Sequence, residues 1–240
     1  MSDLNTMESQ NSDSCEISTE IVEDDDLRNQ PFIVPETKII YDMALPLLFK
    51  SGVSRGEWFD DLLNMKRRNV SVIFKNTDKR NGYIIVPHQR WNERNLTLLH
   101  CIALCKTKEA STLRDLRQHH IPLLRNIHFT GVTHISQRYH VEESELISYV
   151  HYHPTDYRLH IHFIHKENPG RKTHPAKAHP LNVVISNIES DTTHYRDAVI
   201  PVLIRKNPTL YDAYKDAGFD FRSINVATRE ELLERIVSGE

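Results

Sequence analysis

The segment from His151 to His165 reads HYHPTDYRLHIHFIH and places five histidines in fifteen residues. A metal site, a proton-relay site and a site that attacks phosphate all need clustered imidazoles, so spacing has to separate them. In a strand, residues two apart share a face, which sends Arg158, His160 and His162 one way and Leu159, Ile161 and Phe163 the other. Two imidazoles and a guanidinium beside a basic loop suit phosphate oxygens, with one ring nitrogen left to act as a nucleophile. An imidazole does this at neutral pH once its second nitrogen's proton is held by an acceptor. The plain alternative is an exposed strand face whose histidines merely suit the pleat. Zinc is a third reading, with His151, His153, His160, His162 and His165 as ligands. A structural zinc site usually closes with Cys and a catalytic one often adds a carboxylate, yet only Asp156 stands nearby. No metal and no cofactor is therefore expected. No Ser stands in a GxSxG elbow, which leaves a serine triad without support.

The elements that must position these histidines alternate along the chain. GEWFDDLLNMKRRN spaces Trp58, Phe59, Leu62, Leu63 and Met65 as a helix does, and VSVIFKN and GYIIVPH read as two strands joined by the turn-forming NTDKRNG. NERNLTLLHCIALC repeats apolar residues every three to four positions and predicts a helix, with Cys101 and Cys105 on one face as buried reduced thiols. TLRDLRQHHIPLLRNIHFTGVTHISQRYH predicts a long helix continuing past Pro122, which suits a first turn. LISYVHYH, the histidine run and LNVVISNI have strand composition, and the Pro and Gly of NPGRKTHPAKAHP mark a loop. Near the end, Thr228 and Glu231 fit a capping box before a short helix in TREELLERIV.

Charge is distributed unevenly. Residues 1–34 hold nine acids against one base, Arg28, and are rich in Ser, Asn and Gln, the composition of a disordered acidic tail. With those set aside, 24 acids and 29 bases remain, about +5 for residues 35–240, which suits an anionic ligand. No apolar run approaches the roughly 18 residues of a membrane span, and an acidic N-terminus is unlike a signal peptide. A cytoplasmic and also nuclear location is expected, with neither membrane nor DNA as partner.

The blocks TLRDLRQHHIPLLRNI, SQRYH, YVHYHPTDYRLHIHF and HYRDAVIPVLIR, with VPHQRWN, FKNTDKRNGYIIVP and ETKIIYDMALP upstream, closely resemble the scavenger mRNA decapping enzymes, a branch of the histidine triad family. The likeness runs over roughly residues 36–210. It implies an α+β fold, a histidine-triad-like antiparallel sheet with flanking helices, assembled as a homodimer. On this division 1–34 is the tail, 35–57 a hinge-like remnant of a larger N-terminal domain, 58–210 the catalytic domain and 211–240 a helical extension. The activity implied is hydrolysis of residual capped mRNA fragments to 7-methylguanosine monophosphate and a nucleoside diphosphate through a nucleotidyl-histidine, without metal. His160 aligns with the nucleophile. Arg158, His162, His151 and Lys177 align with phosphate-binding positions, and Trp58, Arg68, His88 and Arg90 with base-binding ones.

The pattern also departs from the family. Arg158 replaces the first triad histidine and cannot shuttle a proton, because a guanidinium keeps its charge below a pKa of about 12. Arg68 and His88 stand where the family has carboxylates that face a cationic base, with Asp60, Asp61 or Glu93 as substitutes, so weak preference for the methylated base is expected. Two further readings follow: a catalytically impaired relative that binds nucleotides or pairs with an active protomer, and a histidine triad hydrolase of another dinucleoside polyphosphate.

Overall fold

The structure, a computed structural model, describes residues 32–64, 66, 70–169, 176–204 and 208–221. Residues 1–31 of the acidic tail, Arg68, part of the Pro- and Gly-marked loop and the helix expected in TREELLERIV lie outside the described residues. The strands are β1 (Phe32–Glu36), β2 (Phe74–Asn76), β3 (Tyr83–Pro87), β4 (His100–Cys105), β5 (Leu146–His151), β6 (His160–His165), β7 (Ala178–Pro180) and β8 (Ile200–Ile204). The helices are α1 (Lys38–Lys50), α2 (Trp58–Leu63), α3 (Ile121–Tyr139), α4 (Leu181–Ser190), α5 (His194–Asp197) and α6 (Pro208–Asp216). The chain is thus an α+β fold around one six-stranded antiparallel sheet in the order β2-β3-β4-β6-β5-β7. A separate antiparallel pair joins β1 to β8, and α1 packs on α6 beside it.

Strand alternation gives the sheet two faces with different duties. Cys101, Ala103, Ile161 and Phe163 point into the larger core, where Leu124, Ile127 and Ile135 of α3 meet them. On the other face Ile84, Val86, Ile102 and Leu104 make a smaller core with Phe59 and Leu62 of α2. His160 pairs with Leu104, and His162 lies between Ile102 and Tyr149, so both histidines belong to the face that α2 covers only in part.

The long helix is shorter than expected, since residues 112–120 hold two 3-10 turns and α3 begins at Ile121, and two further elements differ from their expected type. NLTLLHCIALC does not continue as a helix: residues 100–105 form β4 in the middle of the sheet. A short apolar run buried on both faces carries no decisive periodicity. LNVVISNI, read as strand, is α4, which buries Leu181, Val184, Ile185 and Ile188 at helical spacing. Cys101 and Cys105 still share a face, because residues four apart in a strand do so too, and both are buried and unpaired. Burial raises both thiols, Cys105 to about 12.

Gly131 sets how closely α3 approaches the sheet. A Cβ built there would lie 2.2 Å from Cζ and 2.5 Å from Cε1 of Phe163, whose ring is fully buried. Gly131→Ala should therefore destabilise the fold: overpacking costs about 1–3 kcal/mol, more than the ~1 kcal/mol that alanine adds to a helix. The thermal midpoint should fall by a few degrees on calorimetry, whereas an unchanged or raised midpoint would mean that the ring has room to move.

Candidate active site

A buried carboxylate fixes the segment that leads into the histidine strand. Glu36, at the end of β1, is fully buried and receives Arg114 Nε at 2.9 Å, His153 Nε2 at 2.6 Å and the hydroxyls of Tyr152 and Tyr214. Burial opposes its charge, but His153 and the hydrogen bonds hold the carboxyl below its ordinary range. Arg114 is itself buried and donates to the carbonyls of Tyr195, Arg196 and Ala198. The Tyr152 N–H also donates to the Lys177 carbonyl at 2.8 Å, and His151 registers with Ala178. Backbone pairing thereby brings Lys177 to the end of β5, 26 residues from His151 in sequence.

The polar sheet face opens into a cavity of about 700 Å³. Trp58, His88, Arg90, His151, His160, His162 and Lys177 all line it, so the structure brings together most of the residues singled out from sequence. His160 Nδ1 lies 2.8 Å from the Arg158 carbonyl, which can only accept, so the ring's proton sits on Nδ1 and Nε2 keeps a bare lone pair. Burial lowers the His160 pKa, against the carbonyl and Asp156, which raise it. Nε2 of His151 and of His162 are buried without a hydrogen-bond partner, and their rings stand 4.4 Å apart. Burial and then Lys177 push His151 down to about 3, and burial with the neighbouring histidines keeps His162 well below the usual range. The arrangement offers one bare nitrogen on His160, two imidazoles whose Nε2 atoms are unsatisfied among the described residues, and an ammonium, which fits a polyphosphate.

Arg158 is not placed as the sequence predicts. It precedes β6, so strand alternation does not govern it, and it is absent from the cavity lining. Its guanidinium is buried against α2, with Nη1 2.8 Å from Asp60 Oδ1 and Nη2 2.9 Å from the Lys106 carbonyl. The phosphate-clamp reading of Arg158 does not fit this geometry: the side chain fastens α2 to the strand. Asp60, pulled down by Arg158 and Lys108 against the effect of burial, is committed there and does not reach the base pocket.

The carboxylates that do line the cavity are Asp156 and Glu93. Asp156 Oδ1 accepts the Trp58 Nε1 proton at 2.8 Å and also the Ser54 hydroxyl, which fixes the indole plane. Glu93 accepts from the Tyr139 hydroxyl at 2.6 Å. Asp156 entered the sequence reading only as a possible zinc carboxylate, and His100, also in the lining, not at all. For Asp156 a signal was present, since it lies in the histidine run, but His100 opens an apolar segment with no alternation to mark it.

The five histidines of the run do not converge on one metal. His153 turns to Glu36 and Tyr157, and His165 lies 3.8 Å from Glu145. Elsewhere Glu109, His119 and His120 bring three donor atoms within 4.8 Å. His120 Nδ1, however, already accepts the Arg117 N–H at 3.0 Å, so the neutral ring carries its proton on Nε2 and has no lone pair for a cation.

The model of a family described as scavenger mRNA decapping enzyme C-term binding matches residues 57–177, which contain every element of this cavity. The chain belongs to that family. A relative named m7GpppX diphosphatase from Homo sapiens is 34% identical over 194 residues, 80% of this chain and 57% of that protein. One of the same name from Ascaris suum is 30% identical over 181 residues, 75% of this chain and 60% of that protein. The chain thus spans somewhat over half the length of these relatives. Among solved structures, the aprataxin ortholog of Schizosaccharomyces pombe superposes with a TM-score of 0.40 at 11% identity, over 68% of this chain and 93% of that one, too distant to add to the argument.

The buried histidines make stability depend on pH. His100 and His151 titrate near 3 in the fold and near 6.5 when unfolded, so between those values the unfolded chain binds the extra protons. Their contribution is complete above about pH 6.5 and is lost as pH falls, up to roughly 2 kcal/mol each by pH 5 before solvent screening. Urea midpoints should decline steadily from pH 7.5 to 5. A flat profile would mean that these rings protonate without cost in the fold.

Proposed function

We propose that this chain hydrolyses residual capped mRNA fragments, releasing 7-methylguanosine monophosphate and a nucleoside diphosphate through a covalent bond to His160. The observation that carries this reading is the bond from His160 Nδ1–H to the Arg158 carbonyl, which leaves Nε2 bare in a cavity with His151, His162 and Lys177. Nε2 attacks the phosphorus that bears 7-methylguanosine, the P–O bond to the neighbouring phosphate breaks, and the electron pair leaves with the nucleoside diphosphate. Water then attacks the same phosphorus, the P–N bond breaks with its electron pair returning to His160 Nε2, and the monophosphate forms with release of a proton to solvent. A diphosphate departs as an anion without needing a proton, so the step tolerates an arginine in place of a titratable first histidine. Lys177 and the imidazole N–H groups balance the charge that develops on the phosphoryl oxygens.

His160→Asn should abolish turnover of a cap dinucleotide while leaving its affinity within a few-fold, because the phosphate contacts remain. Persistent turnover in that variant would rule out the covalent route. Cleavage of a diadenosine polyphosphate in preference to both methylated and unmethylated cap dinucleotides would favour a hydrolase of other dinucleoside polyphosphates, and tight binding without turnover would favour a nucleotide-binding relative.

Base choice follows from Trp58. Its face offers a cationic base a stacking attraction of roughly 0.5–2 kcal/mol, and Asp156 adds negative charge beside it. Arg90 and His88 on the same wall oppose a cation. Methylated and unmethylated cap dinucleotides should bind within about tenfold, ~1.4 kcal/mol, with the remaining preference for the methylated form lost in Asp156→Asn. The chain's two tryptophans, Trp58 and Trp91, both line the cavity, so intrinsic fluorescence measures occupancy directly. A hundredfold wild-type preference would show that Asp156 and Glu93 dominate the pocket.

The cytoplasmic location and the homodimer belong to the same proposal. Phe129 supports the latter, standing 70% exposed on α3, a helix that the resemblance assigns to the dimer. Light scattering at micromolar concentration should give twice the 28.0 kDa chain mass, and a monomer would remove the claim.

A further inference from the structure

The cavity wall holds one imidazole, His100, that neither the nucleophile nor the base reading uses. His100 opens β4 with its Nε2 2.9 Å from Nδ1 of His162. His88 donates its backbone N–H to the His100 carbonyl at 2.9 Å, which extends the β3–β4 pairing by one residue. That places the His88 ring flat on His100, centroids 4.1 Å apart and planes within 4°.

Only one hydrogen fits on the line between the two nitrogens, and it can belong to either ring. If His162 donates from Nδ1, its Nε2 is a bare lone pair. If His100 donates from Nε2, the neutral His162 must carry its proton on Nε2. His162 Nε2 is buried and has no partner among the described residues, so the bond to His100 is what fixes its state. Burial and the neighbouring cation Arg90 keep His100 neutral, near 3, and burial keeps His162 neutral as well, so the tautomer and not the net charge is the variable.

The ligand decides which tautomer is useful. Phosphate oxygens accept hydrogen bonds and do not donate at neutral pH, and His160 Nε2 must stay bare to attack. Donors to the oxygens must then come from the other groups in the cavity. A His162 that presented a second bare lone pair, its ring 5.0 Å from that of His160, would repel the anion it is meant to hold.

We propose that His100 is a positioning residue: by donating its Nε2–H into His162 Nδ1 it sets His162 in the Nε2–H tautomer and turns a neutral imidazole into a hydrogen-bond donor for an anionic phosphate. This rests on the reading of the cavity as a phosphate site but not on the identity of the base. The stacked His88 holds the His100 ring in the plane that the bond requires.

The test uses the full chain with inorganic pyrophosphate as the probe, which separates it from any result with cap ligands. Nitrogen NMR of labelled histidines, with His162→Gln to assign the signal, should show the pyrophosphate-bound His162 protonated at Nε2 and His100 bare at Nδ1. His100→Leu, which cannot donate, should weaken pyrophosphate binding about tenfold or more, as expected for a lost hydrogen bond that supports a charged ligand. His100→Gln, whose side-chain amide can donate, should recover most of that loss. Three results would each overturn the proposal: no pyrophosphate binding by the wild type, a bound His162 protonated at Nδ1, or equal weakening in the Leu and Gln variants, which would mean that His100 only fills space. Intact pyrophosphate binding and tautomer with no cleavage of any cap dinucleotide would instead count against the decapping reading alone.

Discussion

The carboxylate of Glu36 is the interaction on which the rest of the site depends. A buried charge is tolerated only when paired and fully hydrogen-bonded, and here that requirement gathers Arg114, Tyr152, His153 and Tyr214 around one side chain. Those partners come from the approach to α3, the segment after β5 and α6, so satisfying one carboxylate closes the chain on itself. The consequence reaches the chemistry through the backbone. Tyr152 and His153 follow His151 directly, and Tyr157 joins the network through His153 Nδ1 at 2.8 Å, one residue before the carbonyl that orients His160.

With that segment held, the site is a problem in keeping imidazoles neutral. Five histidines, His88, His100, His151, His160 and His162, share one cavity wall. Burial lowers the pKa of all five, and neighbouring charges add to it for His88, His100, His151 and His162, whereas at His160 burial prevails over the Arg158 carbonyl and Asp156, which raise it. Neutral rings do different work according to which nitrogen bears hydrogen. A backbone carbonyl assigns that nitrogen for His160, whereas the partner of His162 Nδ1 is another imidazole. A bare lone pair and an N–H donor can thus both arise from one residue type, separated by second partners alone.

Arg158 illustrates how a change of residue changes a position's duty. A guanidinium carries a permanent charge and five donors, and burying it demands acceptors. It finds them in Asp60 of α2 and in the carbonyl of Lys106, and in doing so anchors the helix that presents Trp58. Asp156 completes that anchoring by holding the indole N–H while lying in the cavity itself. A residue at a triad position thus contributes scaffold, and a residue from the loop before it contributes charge to the pocket.

The sequence by itself determined the strand of alternating histidines, the long helix after Pro122, the hairpin of β2 and β3, and the family to which these blocks belong. Local periodicity and turn chemistry carry that information, since they act over a few residues. It also named most of the cavity's histidines and its two basic residues, because His88, Arg90, His151, His160, His162 and Lys177 are recognisable as types in a pattern. The nature of β4 was decided by tertiary structure, because a central strand buried on both faces loses the alternation that would reveal it, whereas α4 carried the helical spacing of Leu181, Val184, Ile185 and Ile188 in its sequence, masked by a strand-like composition. Tertiary structure also decided where Arg158 points, that Asp156 lies beside Trp58, and that His100 meets His162 across 62 residues of chain. Those are pairings between distant segments, and a hydrogen bond has no sequence signature until the fold has brought its donor and acceptor within 3 Å.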